Sequence, residues 1–169
     1  MSAITGAAGL DLTTDFAVKT EIDASELTGA LDLNLVAATD ASVDISEYVT
    51  GTVTNLTLTD YAFDAAGVVV DTTSMTGLES VTLAAGTAST STDLTLNVDA
   101  GVGVNLTADD TANDDARIAV TDAATTTADV LALGIGGAAA VDFAVVTAAS
   151  VERLDIASTT SSATAITNT

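Results

Sequence analysis

The strongest constraint on the fold is an alternation of apolar residues that recurs about every 25 positions. Each unit places two apolar residues around one residue that is mostly polar or small, which is typical of a strand with one buried face. The first series comprises Leu31/Leu33, Leu56/Leu58, Val81/Leu83, Val104/Leu106 (shifted by two residues), Leu131/Leu133 and Leu154/Ile156. A second, interleaved series comprises Val43/Ile45, Val68/Val70, Leu94/Leu96, Ile118/Val120 and Phe143/Val145.

Two strands in each repeat of about 25 residues predict an all-β chain folded as a parallel β-solenoid. The segments between the strands are rich in Gly, Ala, Ser, Thr and Asp, which favour turns. Five to six coils would form a rod roughly 25–30 Å long. The alternative is an antiparallel β-sandwich, whose strands recur about every 8–12 residues. We expect one β-repeat domain over residues 1–169.

Both ends of the chain are less regular than its centre. Residues 1–27 do not follow the repeat, and the segment 15–29 favours either a short helix capped by Asp15 or an off-register first coil. Residues 158–169 are rich in Ser, Thr and Ala and predict either a last strand around Ile166 or a tail.

Composition limits the classes of partner. The chain has 24 acidic and three basic residues, a net charge of −21, so no basic patch for nucleic acid or anionic lipid exists. Self-repulsion of this size favours divalent counter-ions, and Asp is well suited to ligating Ca²⁺. No run of about 18 apolar residues is present, so we expect no insertion into a membrane.

Composition also argues against catalysis. The chain lacks Cys and His, which removes serine and cysteine triads and most zinc sites. Paired carboxylates alone can hydrolyse glycosides, but the many Asp residues make close pairs unremarkable as a signal. We therefore expect a protein that is not an enzyme.

The densest group of candidate metal ligands lies in TADDTANDDA, residues 107–116. It supplies carboxylate and amide oxygens of the kind that Ca²⁺ prefers, although the spacing is not that of an EF-hand. Two further carboxylates lie 50 residues earlier, where a 25-residue coil would place them on the same edge. The predicted calcium ligands are Asp109, Asp110, Asn113, Asp114, Asp115, Asp60 and Asp64. The alternative is a solvated acidic surface.

Three short segments resemble a known family. GLESVTL (77–83), SVERLDI (150–156) and TNLTLT (54–59) are similar to the repeating rungs of bacterial S-layer proteins of the Caulobacter type and of type I-secreted β-solenoid adhesins. The resemblance implies a calcium-dependent extracellular β-solenoid at the cell surface, which is exported without an N-terminal signal and assembles into a lattice or filament. The glycine-rich calcium nonapeptide is absent, because the glycines at 134–137 lack an aspartate at the required offset.

The sequence therefore predicts a structural protein whose partners are further copies of itself and calcium ions. Terminal coils of a solenoid expose strand edges, and neither end of the sequence has a proline or a strongly basic cap to protect them. The alternative function is an adhesin or a glycan- or partner-binding module of a larger secreted protein. Arg117 and Arg153 are expected to pair with neighbouring carboxylates, Asp114 or Asp115 and Glu152 respectively.

Overall fold

Parallel β-strands form most of the regular structure. The computed structural model describes residues 5–6, 9–15, 21–36, 43–59, 68–84, 94–107, 115–121, 128–136, 145–159 and 165–168. Within these ranges the strands are β1 Thr5–Gly6, β2 Leu10–Asp15, β3 Ile22–Ala24, β4 Glu26–Leu27, β5 Leu31–Val36, β6 Val43–Asp44, β7 Val49–Gly51, β8 Asn55–Thr59, β9 Val68–Asp71, β10 Ser80–Ala84, β11 Leu94–Val98, β12 Gly103–Leu106, β13 Asp115–Val120, β14 Val130–Ile135, β15 Val145–Ala149, β16 Arg153–Ser158 and β17 Ala165–Asn168. One short 3-10 helix, Ile45–Glu47, follows β6.

The strands stack into two large parallel sheets. A seven-stranded sheet has the order β16-β14-β12-β10-β8-β5-β2, and a six-stranded sheet has the order β17-β15-β13-β11-β9-β6. Small two-stranded sheets, β1-β4 and β3-β7, lie in the first coils. The chain alternates between the large sheets and returns to each one coil later. This confirms the parallel β-solenoid and excludes the antiparallel sandwich.

Several predicted equivalences between coils are confirmed. Leu56 and Leu58 lie opposite Val81 and Leu83. The last two strands of the seven-stranded sheet pair as predicted, with Leu131 opposite Leu154 and Leu133 opposite Ile156. In the other sheet, Val68 and Val70 lie opposite Leu94 and Leu96.

Other predicted registers are wrong by two residues. Leu33, rather than Leu31, lies opposite Leu56, and Leu133, rather than Leu131, lies opposite Val104. The six-stranded sheet has the same kind of shift, which places Val70 opposite Val43 and Leu96 opposite Ile118. A shift of two keeps every side chain on its face, so the apolar pattern alone does not distinguish these registers.

One predicted pairing is wrong by an odd number of residues, so it also misassigns which side chains face inward. Ile118 lies opposite Ala148, which is fully buried, and Val145 lies opposite Asp115. The 25-residue repeat predicts that Val145 shares a column with Val120, but the offset between these two strands is 30 residues. Ile45 also departs from its prediction, since it begins the 3-10 helix, which Asp44 caps by accepting a hydrogen bond from the backbone N–H of Ser46 (2.9 Å).

The core between the two sheets is built from small aliphatic side chains. All of the buried hydrophobic residues in the described ranges are Leu, Ile, Val, Ala or Met. Connections from the six-stranded to the seven-stranded sheet add further buried apolar side chains, among them Val53, Met75, Val102 and Val151. Stacked coils place similar residues over one another, so large aromatic side chains are not needed to fill the centre.

Candidate functional site

The predicted calcium ligands lie almost entirely outside the described residues. Asp115 is the first residue of β13, where its backbone pairs with Val145. Asp109, Asp110, Asn113 and Asp114 precede it between β12 and β13, and Asp60 and Asp64 lie between β8 and β9; these six lie outside the described ranges. Within those ranges, no three carboxylates come together as a metal-binding group.

Three other aspartates have a structural role at the ends of strands. One carboxylate oxygen of Asp23, Asp44 and Asp71 accepts hydrogen bonds from both the backbone N–H and the hydroxyl of the Ser or Thr two residues later. The six distances run from 2.6 to 3.1 Å. Such bonds close a local turn at each of these three positions.

These turns lower the pKa of two carboxyl groups. The side-chain and backbone hydrogen bonds from Ser25 hold the pKa of Asp23 below its ordinary value of 3.8. For Asp71, burial by itself would raise the pKa, but hydrogen bonds from the Thr73 backbone, the Thr73 hydroxyl and Asn97 outweigh it, and the pKa is lowered. Both groups are therefore held as carboxylates by the turns that they close.

A polar ladder runs across the outer face of the seven-stranded sheet. The hydroxyl of Ser80 donates to Asn55 Oδ1 (2.7 Å), and Asn55 Nδ2 donates to Asp32 Oδ1 (2.7 Å). The register continues this column to Asp11, which lies opposite Asp32 at the end of the sheet. Two carboxylates therefore occupy neighbouring coils at that end.

A shallow depression of about 500 Å³ lies towards the other end of the seven-stranded sheet. Glycine and alanine leave the space, since Gly103, Ala132, Gly134 and Ala157 all line it. Asn105 crosses towards the next coil at this point, where a Cβ on Gly134 would collide with its side-chain amide. The depression offers few polar groups for a ligand, chiefly Asn105 and Asp155.

The outermost strand at this end is β16, and its outer side is here termed the C-terminal edge. Within the described residues β16 pairs with β14 alone. Leu154 and Ile156 continue the core columns above Leu131 and Leu133, but Leu154 is only partly buried and Ile156 is 49% exposed. Apolar side chains and main-chain groups are thus presented together along one strand.

The C-terminal edge also carries an arginine. The Arg153 guanidinium donates to both carboxylate oxygens of Asp155, with Nη2 to Oδ2 at 2.8 Å and Nε to Oδ1 at 2.9 Å. Asp155 raises the pKa of Arg153 above its ordinary value through these hydrogen bonds and its charge. The sequence predicts Glu152 as the partner of Arg153, but Glu152 Oε2 instead accepts a hydrogen bond from the backbone N–H of Asp129 (2.8 Å).

The opposite end of the seven-stranded sheet is formed by β2, and its outer side is here termed the N-terminal edge. In the described part of the chain β2 pairs only with β5. Leu10 and Leu12 are partly buried against the core, above Leu31 and Leu33. Asp11 points to the other face and is exposed. Among the described residues, the apolar columns of the seven-stranded sheet are therefore incomplete at each end.

Sequence reasoning missed the individual residues of these edges. Leu154 and Ile156 carry the same pattern as the central coils, and only their position as the last unit of the series marks them as exposed. The arginine at position 153 was visible in the sequence, but its partner depends on strand alternation, which puts residues 153 and 155 on the same face.

Comparisons with known proteins return no relatives. The chain matches no protein-family model, no curated protein and no solved structure. In the ranges that the structure describes, no helix has the length and apolar character needed to cross a membrane.

Proposed function

We propose that the chain is an extracellular structural protein of the bacterial cell surface that assembles with copies of itself into a filament or an S-layer lattice. The observation that carries the proposal is the pair of incomplete edges, N-terminal and C-terminal, at opposite ends of one parallel sheet. Natural proteins usually protect such edges with charge, proline or a covering element, because unpaired strands associate. Association between copies completes both edges at once.

Side-chain exposure supports the same function. Ile156 is the only large hydrophobic residue among those described that is classed as exposed, and it lies on the C-terminal edge. Burying Ile156 and the remaining surface of Leu154 on another copy would contribute roughly 25 cal/mol for each Å² of apolar surface removed from water. The backbone hydrogen bonds of an added strand would contribute further.

Calcium is proposed as the condition for assembly. Copies with a net charge of −21 repel one another, and divalent cations relieve that repulsion. The candidate ligands are Asp109, Asp110, Asn113, Asp114 and Asp115, with Asp60 and Asp64 as a second group. In the sequence, the two groups follow β8 and β12, which are both strands of the seven-stranded sheet. Calcium on the order of millimolar outside the cell would suffice for sites of the extracellular kind.

The resemblance of 54–59, 77–83 and 150–156 to S-layer rungs supports this assignment, because those proteins are extracellular assemblies. We further propose that the chain is not an enzyme. The whole sequence lacks His and Cys, the residues most used for nucleophilic and acid–base chemistry at neutral pH.

Negative-stain electron microscopy tests the proposal. The purified chain would be imaged with excess EGTA and then with millimolar CaCl₂. Ordered filaments or sheets that form only with CaCl₂ support both assembly and the role of calcium. Assembly that is insensitive to EGTA would retain the structural function and remove calcium from it. Dispersed monomers in both conditions would contradict the proposed function.

A matched pair of variants separates a calcium site from general charge. One variant replaces Asp109, Asp110, Asp114 and Asp115 with Asn. The control replaces Glu21, Glu26, Glu47 and Glu79, which are exposed, with Gln. Both remove four negative charges. A specific site predicts that only the first variant needs more CaCl₂ to assemble, and equal shifts in the two variants would show that calcium acts as a diffuse counter-ion.

The depression over Gly103, Ala132 and Gly134 favours a second candidate, a binding module of a larger secreted protein. This function predicts a chain that stays monomeric with CaCl₂ and binds members of a soluble oligosaccharide panel. Ala132→Gln would fill the depression and abolish that binding, whereas Thr57→Gln, also on the sheet, would not. Absence of binding across the panel, together with assembly, would exclude this candidate.

A further inference from the structure

We infer that copies stack head to tail, with the C-terminal edge of one copy pairing in parallel with the N-terminal edge of the next, so that Leu154 lies opposite Leu10 and Ile156 opposite Leu12. This inference rests on the proposed self-assembly and specifies its surface, direction and register. The occupant of each edge is a second copy of this chain.

The direction follows from the sheet. β2 and β16 belong to the same sheet, in which all described pairings are parallel, and they form its two opposite edges. Pairing one edge with the other preserves strand direction and repeats the contact already made between coils. It is a heterologous contact that leaves a free edge at each end of the dimer, so the assembly propagates. Joining two identical edges would not continue the parallel sheet.

The register follows from the apolar columns. One inner column runs Leu12, Leu33, Leu56, Val81, Val104, Leu133 and Ile156 across the seven strands. Placing Ile156 of one copy opposite Leu12 of the next continues this column without interruption, and Leu154 then meets Leu10. A shift of one residue would turn the apolar side chains outward. A shift of two would leave either Leu10 or Leu12 without an apolar partner.

An arginine offsets the carboxylates that this register brings together on the outer face. Asp155 of one copy lies opposite Asp11 of the next, and Asp11 is already opposite Asp32 in its own chain. Three carboxylates in successive strands would repel, yet the C-terminal edge supplies Arg153, bound to Asp155. Arg153 itself lies opposite Gly9, which has no side chain to obstruct the guanidinium. Arginine has five N–H donors, so donors remain to reach Asp11.

Engineered cysteines test this register, because the native chain has none. In the inferred contact, Ala157 lies opposite Thr13, and both residues are exposed on the outer face of the single chain. Parallel neighbours have Cα atoms about 4.8 Å apart, which is within the range that a disulfide spans. Two single variants, Thr13→Cys and Ala157→Cys, one of them carrying a tag that changes its size, would be mixed with CaCl₂ and a mild oxidant.

Head-to-tail stacking predicts a mixed disulfide dimer from the two single variants and no dimer from either variant alone. The double variant should form a ladder of covalent multimers. Thr159→Cys is the register control, because the distance between its Cα and that of Thr13 in the next copy would be about 8 Å. It should therefore cross-link to Thr13→Cys at least about tenfold more slowly.

The outcomes distinguish the inference from the function on which it rests. Ordered assemblies by electron microscopy without the mixed dimer would overturn the inference and leave self-assembly standing. Dimers of a single variant with itself would show joined identical edges and also overturn it. Absence of any assembly would overturn both.

A charge exchange gives a second and independent measurement. Arg153→Asp should raise the critical concentration for assembly by about tenfold, because it places like charges across the contact. Adding Asp11→Arg to the same chain restores opposite charges and should reverse most of that increase. A double variant that assembles no better than Arg153→Asp alone would contradict the contact between these two positions.

Discussion

Shortening one buried leucine tests the alternation on which the fold depends. Leu83 is 1% exposed in β10, and its column neighbours are Leu58 on one side and Leu106 on the other. Leu83→Ala removes side-chain atoms that are covered on both sides and leaves a cavity that the neighbouring coils only partly fill. Leu→Ala changes at such sites cost between about 2.7 and 5 kcal/mol, so we expect about 3 kcal/mol.

Two comparison variants test whether the cost of Leu83→Ala comes from its position on the inner face of a central strand. Thr82→Ala, on the outer face of the same strand, should cost less than about 1 kcal/mol. Leu154→Ala carries the same chemical change as Leu83→Ala but lies on the C-terminal edge, where only Leu131 covers it in the column. Because part of its surface is already in water and no closed cavity forms, it should cost about 1 kcal/mol.

Urea unfolding followed by circular dichroism, with EGTA present to keep the chain unassembled, measures all three values. The order Leu83→Ala, then Leu154→Ala, then Thr82→Ala is the expected result. Equal costs for Leu83→Ala and Thr82→Ala would refute the assignment of inner and outer faces. Equal costs for Leu83→Ala and Leu154→Ala would refute the claim that Leu154 is partly exposed on an edge strand.

Three further predictions concern the turns and the outer face. The pKa of Asp71 is lower in the folded chain than in the unfolded one, so its contribution to stability is present above about pH 4 and is lost as the pH falls through the lowered value. The difference in unfolding free energy between the native chain and Asp71→Asn should therefore shrink on acid titration below pH 4, and a difference that grows would contradict the stabilising role of the Asp71 carboxylate in its turn. Gly77→Ala and Gly101→Ala both force alanine to a positive φ (78° and 90°), which should each cost about 1–2 kcal/mol of stability. Of these two sites, only Gly77 has a threonine methyl where the Cβ would lie, so thermal unfolding should show the larger loss of stability for Gly77→Ala. Asn55→Ala removes one donated and one accepted hydrogen bond, so the free energy of unfolding in urea should fall by about 1–2 kcal/mol. Thr57→Ala on the same face should cost less, and equal losses would show that the polar ladder does not stabilise the fold.

Strand positions and the inward face were largely predictable from the sequence, because one apolar face per strand requires alternation. The central coils also kept the predicted spacing, as Leu56 opposite Val81 illustrates. The register of several other coils was not predictable. Observed offsets run from 20 residues, Val145 to Ala165, to 30 residues, Asp115 to Val145. Turns of variable length accommodate these different offsets. Because apolar residues stand at both i and i+2, the predicted register and a register shifted by two residues have similar energies.

The candidate sites differ in how far the sequence could identify them. A cluster of aspartates such as 109–115 is visible by inspection, but the same residue type also closes turns at Asp23, Asp44 and Asp71, where its oxygens are occupied by local hydrogen bonds. Composition does not separate these two uses. The exposed edges depend on which strand has no neighbour, and that is a property of the stack rather than of any local motif.

Cryo-electron microscopy of the calcium-grown assemblies would show directly whether copies stack head to tail along the solenoid axis. Each copy contributes seven strands to the larger sheet, and a strand spacing of about 4.8 Å gives an axial rise of about 34 Å per subunit. Head-to-tail stacking predicts this rise, with the strands perpendicular to the filament axis and the sheet continuous from β16 of one copy to β2 of the next. A rise that differs clearly from this value, or strands that run along the axis, would contradict it.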